Sequence, residues 1–340
     1  MAVITGLEQT IDDESAHNMT LNQAKQLLSN PRSRRIVALA SGKVGVCEVG
    51  DPNGYPVVWL TGNMGPAMTI LLYENIARRH RIRLISIDRP GYNATQFTPG
   101  LPLVFEFVDI INEVTLYLGV SRFGLAAFSL GAVYAFAFSL WYPERLMGTM
   151  HMVSPWLSTS TPGASSKLKS IARYAPNFLI RTTLYTVPTM GQFFYNLWGT
   201  IASLGSSNSD KMDLEDKKSN SAAATSAFQI APGRSYIYNE VYSNALSNLQ
   251  SGKQGPHNDW TVALEREPWG FSYEETTYPA KVFMGDLDED VPISAWKYMS
   301  QRMDNVELKI IPGGKHYLLY RMDFMEDLFE MVAKAVREEK

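Results

Sequence analysis

Between residues 35 and 153, short apolar runs rich in β-branched residues alternate with runs of helical length; the alternation stops at Ser154 and resumes at Lys281. Strands separated by helices of ten to fifteen residues specify an α/β fold with a doubly wound, mostly parallel sheet. The pattern predicts strands over 35–40, 44–49, 56–60, 83–87, 123–128, 148–153, 281–284 and 306–311. Helices are predicted over 21–28, 67–78, 105–118, 130–142, 294–303 and 318–336. Residues 154–279 leave the sheet after its sixth main strand and return before the seventh, and they are rich in helix formers, serine and aromatics. Because this segment both leaves and re-enters one sheet, it reads as a helical lid rather than a second domain. The chain then divides into an N-terminal arm with a short helix (1–30), a core (31–153 and 280–340) and the lid (154–279). The polar, nearly low-complexity middle of the lid, 206–226, is expected to be its least ordered part.

Composition removes several classes of function. A net charge of −3 gives no broad field for nucleic acid or an anionic membrane. The basic run Arg78-Arg79-His80-Arg81-Ile82-Arg83 closes a predicted helix, where cations complement the dipole. Cys47 is the only cysteine, so no intrachain disulfide forms, and it lies in a predicted strand as a buried structural thiol. With a polar, acidic start in place of a signal peptide, the expected location is cytoplasmic. Residues 123–141 carry no charge, but Gly124 and Gly131 interrupt them. A buried strand turning into a buried helix gives the same hydropathy as a short span, so no integral membrane association is expected.

The strongest chemical signal is Ala127-Phe128-Ser129-Leu130-Gly131 at a strand-to-helix junction. A nucleophile elbow needs small residues two before and two after its serine, because the turn is too tight for bulky side chains. Such a turn raises the Ser129 hydroxyl above the sheet and points the Leu130 N–H at the reacting carbonyl. A base is needed, and there are five histidines. His17 lies in the arm, His80 in the basic helix end, His151 in a strand and His257 in a polar lid loop. His316 follows the last strand, in a loop able to lean over the C-terminal edge of the sheet, where sites in such folds gather. The turn after the preceding strand holds Asp286, Asp288 and Asp290. Asp288 has the reach to accept from His316; Asp286 is expected to end the strand and Asp290 to cap the next helix. The order Ser129, Asp288, His316 is that of α/β-hydrolases and of neither familiar protease order.

On these residues the chain resembles the α/β-hydrolase superfamily, in particular its lidded, esterase-like serine hydrolases. The resemblance runs from about Arg35 to Val336 and includes Asp88-Arg89-Pro90-Gly91-Tyr92, Pro268-Trp269-Gly270-Phe271 and Pro312-Gly313-Gly314-Lys315-His316. It implies that the residue after Gly62 donates the second oxyanion N–H, which makes Asn63 the partner of Leu130. One departure stands out: Thr61 occupies the place where the family usually has histidine, which puts the loop's geometry in question more than its supply of donors. Asn63, Met64, Trp156 and Trp198 are pocket candidates, and the aromatic residues of the lid would roof an apolar pocket or simply pack it. Serine rather than aspartate at the elbow separates the chain from the epoxide-hydrolase and haloalkane-dehalogenase branches.

The expected chemistry is acyl transfer on a carboxylic ester, thioester or lactone of a small apolar molecule. A cofactor-free lyase or cyclase using the same three side chains is the second reading, favoured by the altered Thr61 loop, and a ligand receptor with an intact triad is the third. The sequence carries no phosphate loop, dinucleotide fingerprint or metal motif, so no cofactor and no metal are implied.

Overall fold

A computed structural model describes residues 19–164, 173–174, 176 and 232–339. Its eight strands are β1 (Arg35–Leu39), β2 (Gly42–Gly50), β3 (Tyr55–Leu60), β4 (Ile82–Ile87), β5 (Gly124–Phe128), β6 (Met150–Val153), β7 (Ala280–Gly285) and β8 (Val306–Ile311). They form one sheet in the order β1-β2-β4-β3-β5-β6-β7-β8. β1 runs antiparallel to β2, and β2 antiparallel to β4; every later pairing is parallel. The fold is therefore the doubly wound, mostly parallel sheet that the alternation predicts.

Among the described residues, eight α-helices accompany the sheet: α1 (Leu21–Ser29), α2 (Glu74–Arg79), α3 (Leu103–Tyr117), α4 (Gly131–Trp141), α5 (Pro232–Gln250), α6 (Gln254–Ala263), α7 (Ile293–Ser300) and α8 (Met322–Glu338). α3, α4 and α7 close one face, around Phe107, Val114, Phe136 and Trp296. α2 and α8 close the other, around Trp59, Ile76, Leu328 and Phe329. α8 shows why: Phe324, Met325, Leu328, Phe329, Val332, Ala333 and Val336 are buried at spacings of one and three to four, which is one helical stripe. Each large apolar side chain so buried contributes roughly 1.5–3 kcal/mol. β5 and β6 are buried along their whole length, as central strands covered on both sides must be.

Two predicted helices are split. The run predicted over 67–78 is a 3₁₀ turn, Ala67–Tyr73, followed by α2. All seven residues of that turn are buried, so packing from every side replaces amphipathic periodicity. The closing helix is likewise preceded by a 3₁₀ turn at Leu318–Tyr320, with extended Arg321 between the two. Between β6 and β7 the described residues contain α5, α6 and a 3₁₀ turn at Tyr273–Glu275, and no strand. His257, predicted in a loop, lies on α6. The 206–226 segment and Trp198 fall outside the described residues. The basic run is consumed by carboxylates: Arg78 pairs with Glu74, Arg79 and His80 with Glu326, Arg81 with Asp51 and Arg83 with Glu48. Cys47 is buried in β2, and burial, then Asp88, Glu48 and Glu74, pushes its thiol well up.

Candidate active site

β5 ends at Phe128 and α4 begins at Gly131, leaving two residues for the reversal. Ser129 adopts φ +50°, a left-handed conformation that a non-glycine residue holds only when its surroundings demand it. They do: its N–H donates to Val153 O at 3.0 Å, and its carbonyl accepts from Trp156 N at 3.0 Å. A Cβ at position 131 would lie 2.2 Å from Leu60 O, so the helix start touches the β3 backbone and only glycine fits. Ala127 is fully buried, and its single methyl is accommodated two residues before the serine, where the elbow needs a small side chain.

His316 reaches this serine from the loop after β8. Its Nε2 lies 2.9 Å from Ser129 Oγ, and its Nδ1 lies 2.9 Å from Asp288 Oδ2. An ionised carboxylate only accepts, so Nδ1 carries the ring proton and Nε2 is left to accept from the hydroxyl. The other oxygen of Asp288, Oδ1, accepts from the backbone N–H groups of Asp290 at 2.9 Å and Val291 at 2.8 Å. Two glycines bring the aspartate and histidine loops together: a Cβ on Gly285 would lie 2.2 Å from Gly314 O. Ser129, His316 and Asp288 are all buried, so little bulk water competes for these hydrogen bonds. The structure thus joins the three side chains named from sequence. Asp290 does not cap α7, whose N-cap is Pro292 with no side-chain cap; its backbone N–H serves Asp288 instead. Asp286 directly follows β7, its N–H donating to Ile311 O.

Across from the elbow lies the loop after β3. A Cβ on Gly62 would come within 3.1 Å of Ser129 Cβ and 2.7 Å of the Phe128 ring. The backbone N–H groups of Asn63 and Leu130 have no hydrogen-bond partner among the described residues. The loop's brace is one that sequence reading does not reveal. Thr61 Oγ donates to Gly65 O at 2.6 Å and accepts from Arg89 at 3.0 Å. Arg89 also donates to Thr61 O and Gly62 O, each at 2.7 Å. Its guanidinium meets Asp259 of α6 in two parallel hydrogen bonds, 2.7 Å from Nε to Oδ1 and 2.6 Å from Nη2 to Oδ2. Asp259 Oδ2 accepts further from Met64 N at 2.8 Å and from the Tyr92 hydroxyl at 2.7 Å. Burial alone would lower the Arg89 pKa; the Asp259 carboxylate outweighs it and holds the guanidinium above its ordinary value. Burial and then the same carboxylate push the Tyr92 phenol well up. The turn holding Arg89 and Tyr92 was visible in the sequence, but Asp259 lies 170 residues beyond Arg89 with no local motif around it.

Met64 is half-buried with φ +58°. Trp156, also half-buried, donates its indole N–H to Ala263 O at 2.9 Å, so it ties the elbow to the end of α6. Phe128 and Tyr317 stand against the His316 ring, each with its centroid 5.3 Å away. Asp288, Asp290 and His316 form a group with one ligand atom each within 4.8 Å. Both His316 nitrogens are already engaged, however, which leaves a cation only carboxylate oxygens.

Residues 55–321 match the family model described as alpha/beta hydrolase fold. The chain belongs to the alpha/beta hydrolase fold family. A probable proline iminopeptidase from Leptolyngbya boryana is 30% identical over 105 residues, which is 30% of this chain and 32% of that protein. The chain thus matches about a third of this relative's length. Among solved structures, an alpha/beta hydrolase fold protein from Nakamurella multipartita superposes with a TM-score of 0.60 at 19% identity, covering 90% of this chain and 99% of that one. The epoxide hydrolase VrEH1 from Vigna radiata gives 0.61 at 17% identity, over 90% and 98%. At these identities the structural likeness concerns the fold. Among the described residues of this alpha/beta hydrolase, no helix is long and apolar enough to cross a membrane.

Proposed function

We propose that this protein is a serine hydrolase that cleaves a carboxylic ester, thioester or lactone of a small apolar molecule through an acyl-enzyme on Ser129. The observation that carries this reading is the hydrogen-bonded chain Ser129 Oγ, His316 Nε2, His316 Nδ1, Asp288 Oδ2, with 2.9 Å at both junctions. Ser129 Oγ attacks the carbonyl carbon while its proton passes to Nε2. Asp288 holds the tautomer that makes Nε2 the acceptor and stabilises the imidazolium that forms. The N–H groups of Asn63 and Leu130 take the charge that develops on the carbonyl oxygen, and such preorganised donors supply a large part of the rate. The C–O or C–S bond then breaks and Nε2 returns the proton to the leaving group. A water molecule, losing its proton to Nε2, attacks the acyl-enzyme; the acid departs and Ser129 recovers its proton.

Thr61 in place of histidine is the feature that favours a lyase or cyclase, but the loop has its own brace through Arg89, so that motive loses force. The test is labelling by a fluorophosphonate together with turnover of p-nitrophenyl esters. Ser129 should carry the label, and Ser129→Ala should lose both label and turnover while keeping its melting temperature. A folded Ser129→Ala protein with near-wild-type turnover would overturn the reading. Incorporation of one heavy oxygen from water into the acid product separates hydrolysis from lyase or cyclase chemistry.

A further inference from the structure

Three consecutive peptide groups lead from β3 past Ser129, and one buried ion pair holds all three. Arg89 Nη1 donates to Thr61 O at 2.7 Å, and Arg89 Nη2 donates to Gly62 O at 2.7 Å. Asp259 Oδ2 accepts from Met64 N at 2.8 Å. The middle group, joining Gly62 to Asn63, contains the Asn63 N–H. In a planar trans peptide the C=O and N–H point in opposite directions. Fixing Gly62 O on Arg89 therefore fixes the Asn63 N–H on the opposite side. Met64, at φ +58°, sits in the left-handed region, and its own N–H bond to Asp259 holds it there. The pair itself is buried, with side-chain exposures of 3% and 1%.

Packing of α6 does not by itself require a charge at position 259. A buried ion pair often stabilises a fold no better than apolar side chains of similar size, because desolvation offsets the attraction. An arginine fork, in contrast, supplies direction: its donors lie in one plane, and here they meet three carbonyls and both oxygens of a carboxylate. We propose that Asp259 and Arg89 are positioning residues for acyl transfer: together they orient the Asn63 N–H toward the oxyanion, and they make the seating of α6, a helix of the segment between β6 and β7, a condition of full activity. This inference rests on the reading of Ser129 as nucleophile and of Asn63 and Leu130 as oxyanion donors.

The sign of the effect separates positioning from simple electrostatics. Removing the Asp259 charge leaves Arg89 uncompensated beside the loop, and a bare cation there would favour the oxyanion and raise kcat. Loss of positioning lowers it. Asp259→Asn and Arg89→Lys are compared with wild type on p-nitrophenyl butyrate, and in binding of an alkyl trifluoromethyl ketone, whose adduct with Ser129 carries the oxyanion. Both assays are run below the melting temperature of each variant. Loss of a whole oxyanion donor costs about 10²–10³ in kcat, so a misdirected one should cost about 10- to 100-fold. Ketone affinity should fall in step with kcat/KM, while KM stays within about threefold. Arg89→Lys keeps the ion pair and the charge but cannot hold two carbonyls and the carboxylate at once, so it decides the matter even where Asp259→Asn folds poorly. A structural role alone would be rescued by lysine. Wild-type kcat and ketone affinity in folded Arg89→Lys, or a rise in kcat in Asp259→Asn, would overturn the inference. Ser129→Ala is measured alongside: if it stays active, the reading of the site fails, whereas an inactive Ser129→Ala beside an unaffected Arg89→Lys sinks only the positioning role.

Discussion

Replacing Asp288 by asparagine changes one oxygen to an amide, and the surrounding hydrogen bonds dictate which one. Oδ1 accepts two backbone N–H groups, from Asp290 at 2.9 Å and Val291 at 2.8 Å. An amide nitrogen placed there would face two donors, and each buried donor left without an acceptor costs about 1–3 kcal/mol. The carbonyl oxygen of the introduced asparagine therefore keeps the Oδ1 position, and its NH₂ group takes the position of Oδ2, 2.9 Å from His316 Nδ1. A donor at that place forces Nδ1 to accept, which moves the ring proton to Nε2. Nε2 then donates to Ser129 Oγ rather than accepting from it, and the base is lost while the geometry is kept. In a Ser-His-Asp triad the wrong tautomer costs on the order of 10⁴ in kcat, about 5.5 kcal/mol of transition-state stabilisation. The assay is steady-state hydrolysis of a p-nitrophenyl ester, with circular dichroism to show that the variant is folded. Asp286→Asn and Asp290→Asn serve as controls: Asp286 is exposed, and Asp290 serves Asp288 through its backbone N–H, which the substitution keeps. Both should stay within about tenfold of wild type. A folded Asp288→Asn protein within that range, or an inactive Asp290→Asn beside an active Asp288→Asn, would refute the tautomer argument.

Gly131→Ala should destabilise the protein by at least about 1–3 kcal/mol and reduce kcat, because the added methyl meets Leu60 O at 2.2 Å and Thr61 O at 2.9 Å, backbone that leads into the loop after β3; a urea midpoint equal to wild type would contradict the elbow packing. His151, buried in β6 and stacked on Phe283, has its imidazole pushed down from 6.5 to about 4, by burial first and then by Lys281. The unfolded chain therefore binds the extra proton between about pH 6.5 and 4, and stability falls as pH drops through that window, by up to ~3 kcal/mol from this group alone. His151→Phe should remove that share of the pH dependence, read as a smaller loss of urea midpoint between pH 7 and 4 than wild type shows; parallel curves would count against it.

The strands were legible because each is a short apolar run bounded by turn residues, and central strands buried on both faces need no alternation to be seen. β7 and β8 announced the aspartate and histidine loops for the same reason. Helical periodicity failed where burial is all-round: Ala67–Tyr73 has no polar face to set a period, and its backbone follows the packing as a 3₁₀ turn. Asp290 misled because a helix start needs a cap, yet Pro292 fills that position and the acidic turn is organised around Asp288. Ser129, Asp288 and His316 could be named because each sits at the end of a strand whose place in the sheet is fixed by chain order. Asp259 could not. Its position on α6 is polar within a polar helix, and its partner lies on a turn 170 residues earlier, so only the packed molecule brings the two together.

That long-range contact changes what Thr61 means. A threonine hydroxyl is too short to brace a loop alone; it reaches only Gly65 O and Arg89. The remaining restraint comes from the guanidinium, which holds three loop carbonyls, and Arg89 is in turn held by Asp259 from the segment between β6 and β7. The same segment sends Trp156 back to the elbow, where its N–H binds Ser129 O and its indole binds the end of α6. Both sides of the space above Ser129 thus lean on α6: the β3 loop through Arg89, the elbow through Trp156. Changes in α6 then act on the geometry around Ser129. On this architecture, variants that unseat α6 should alter kcat, whereas a passive roof would alter KM alone.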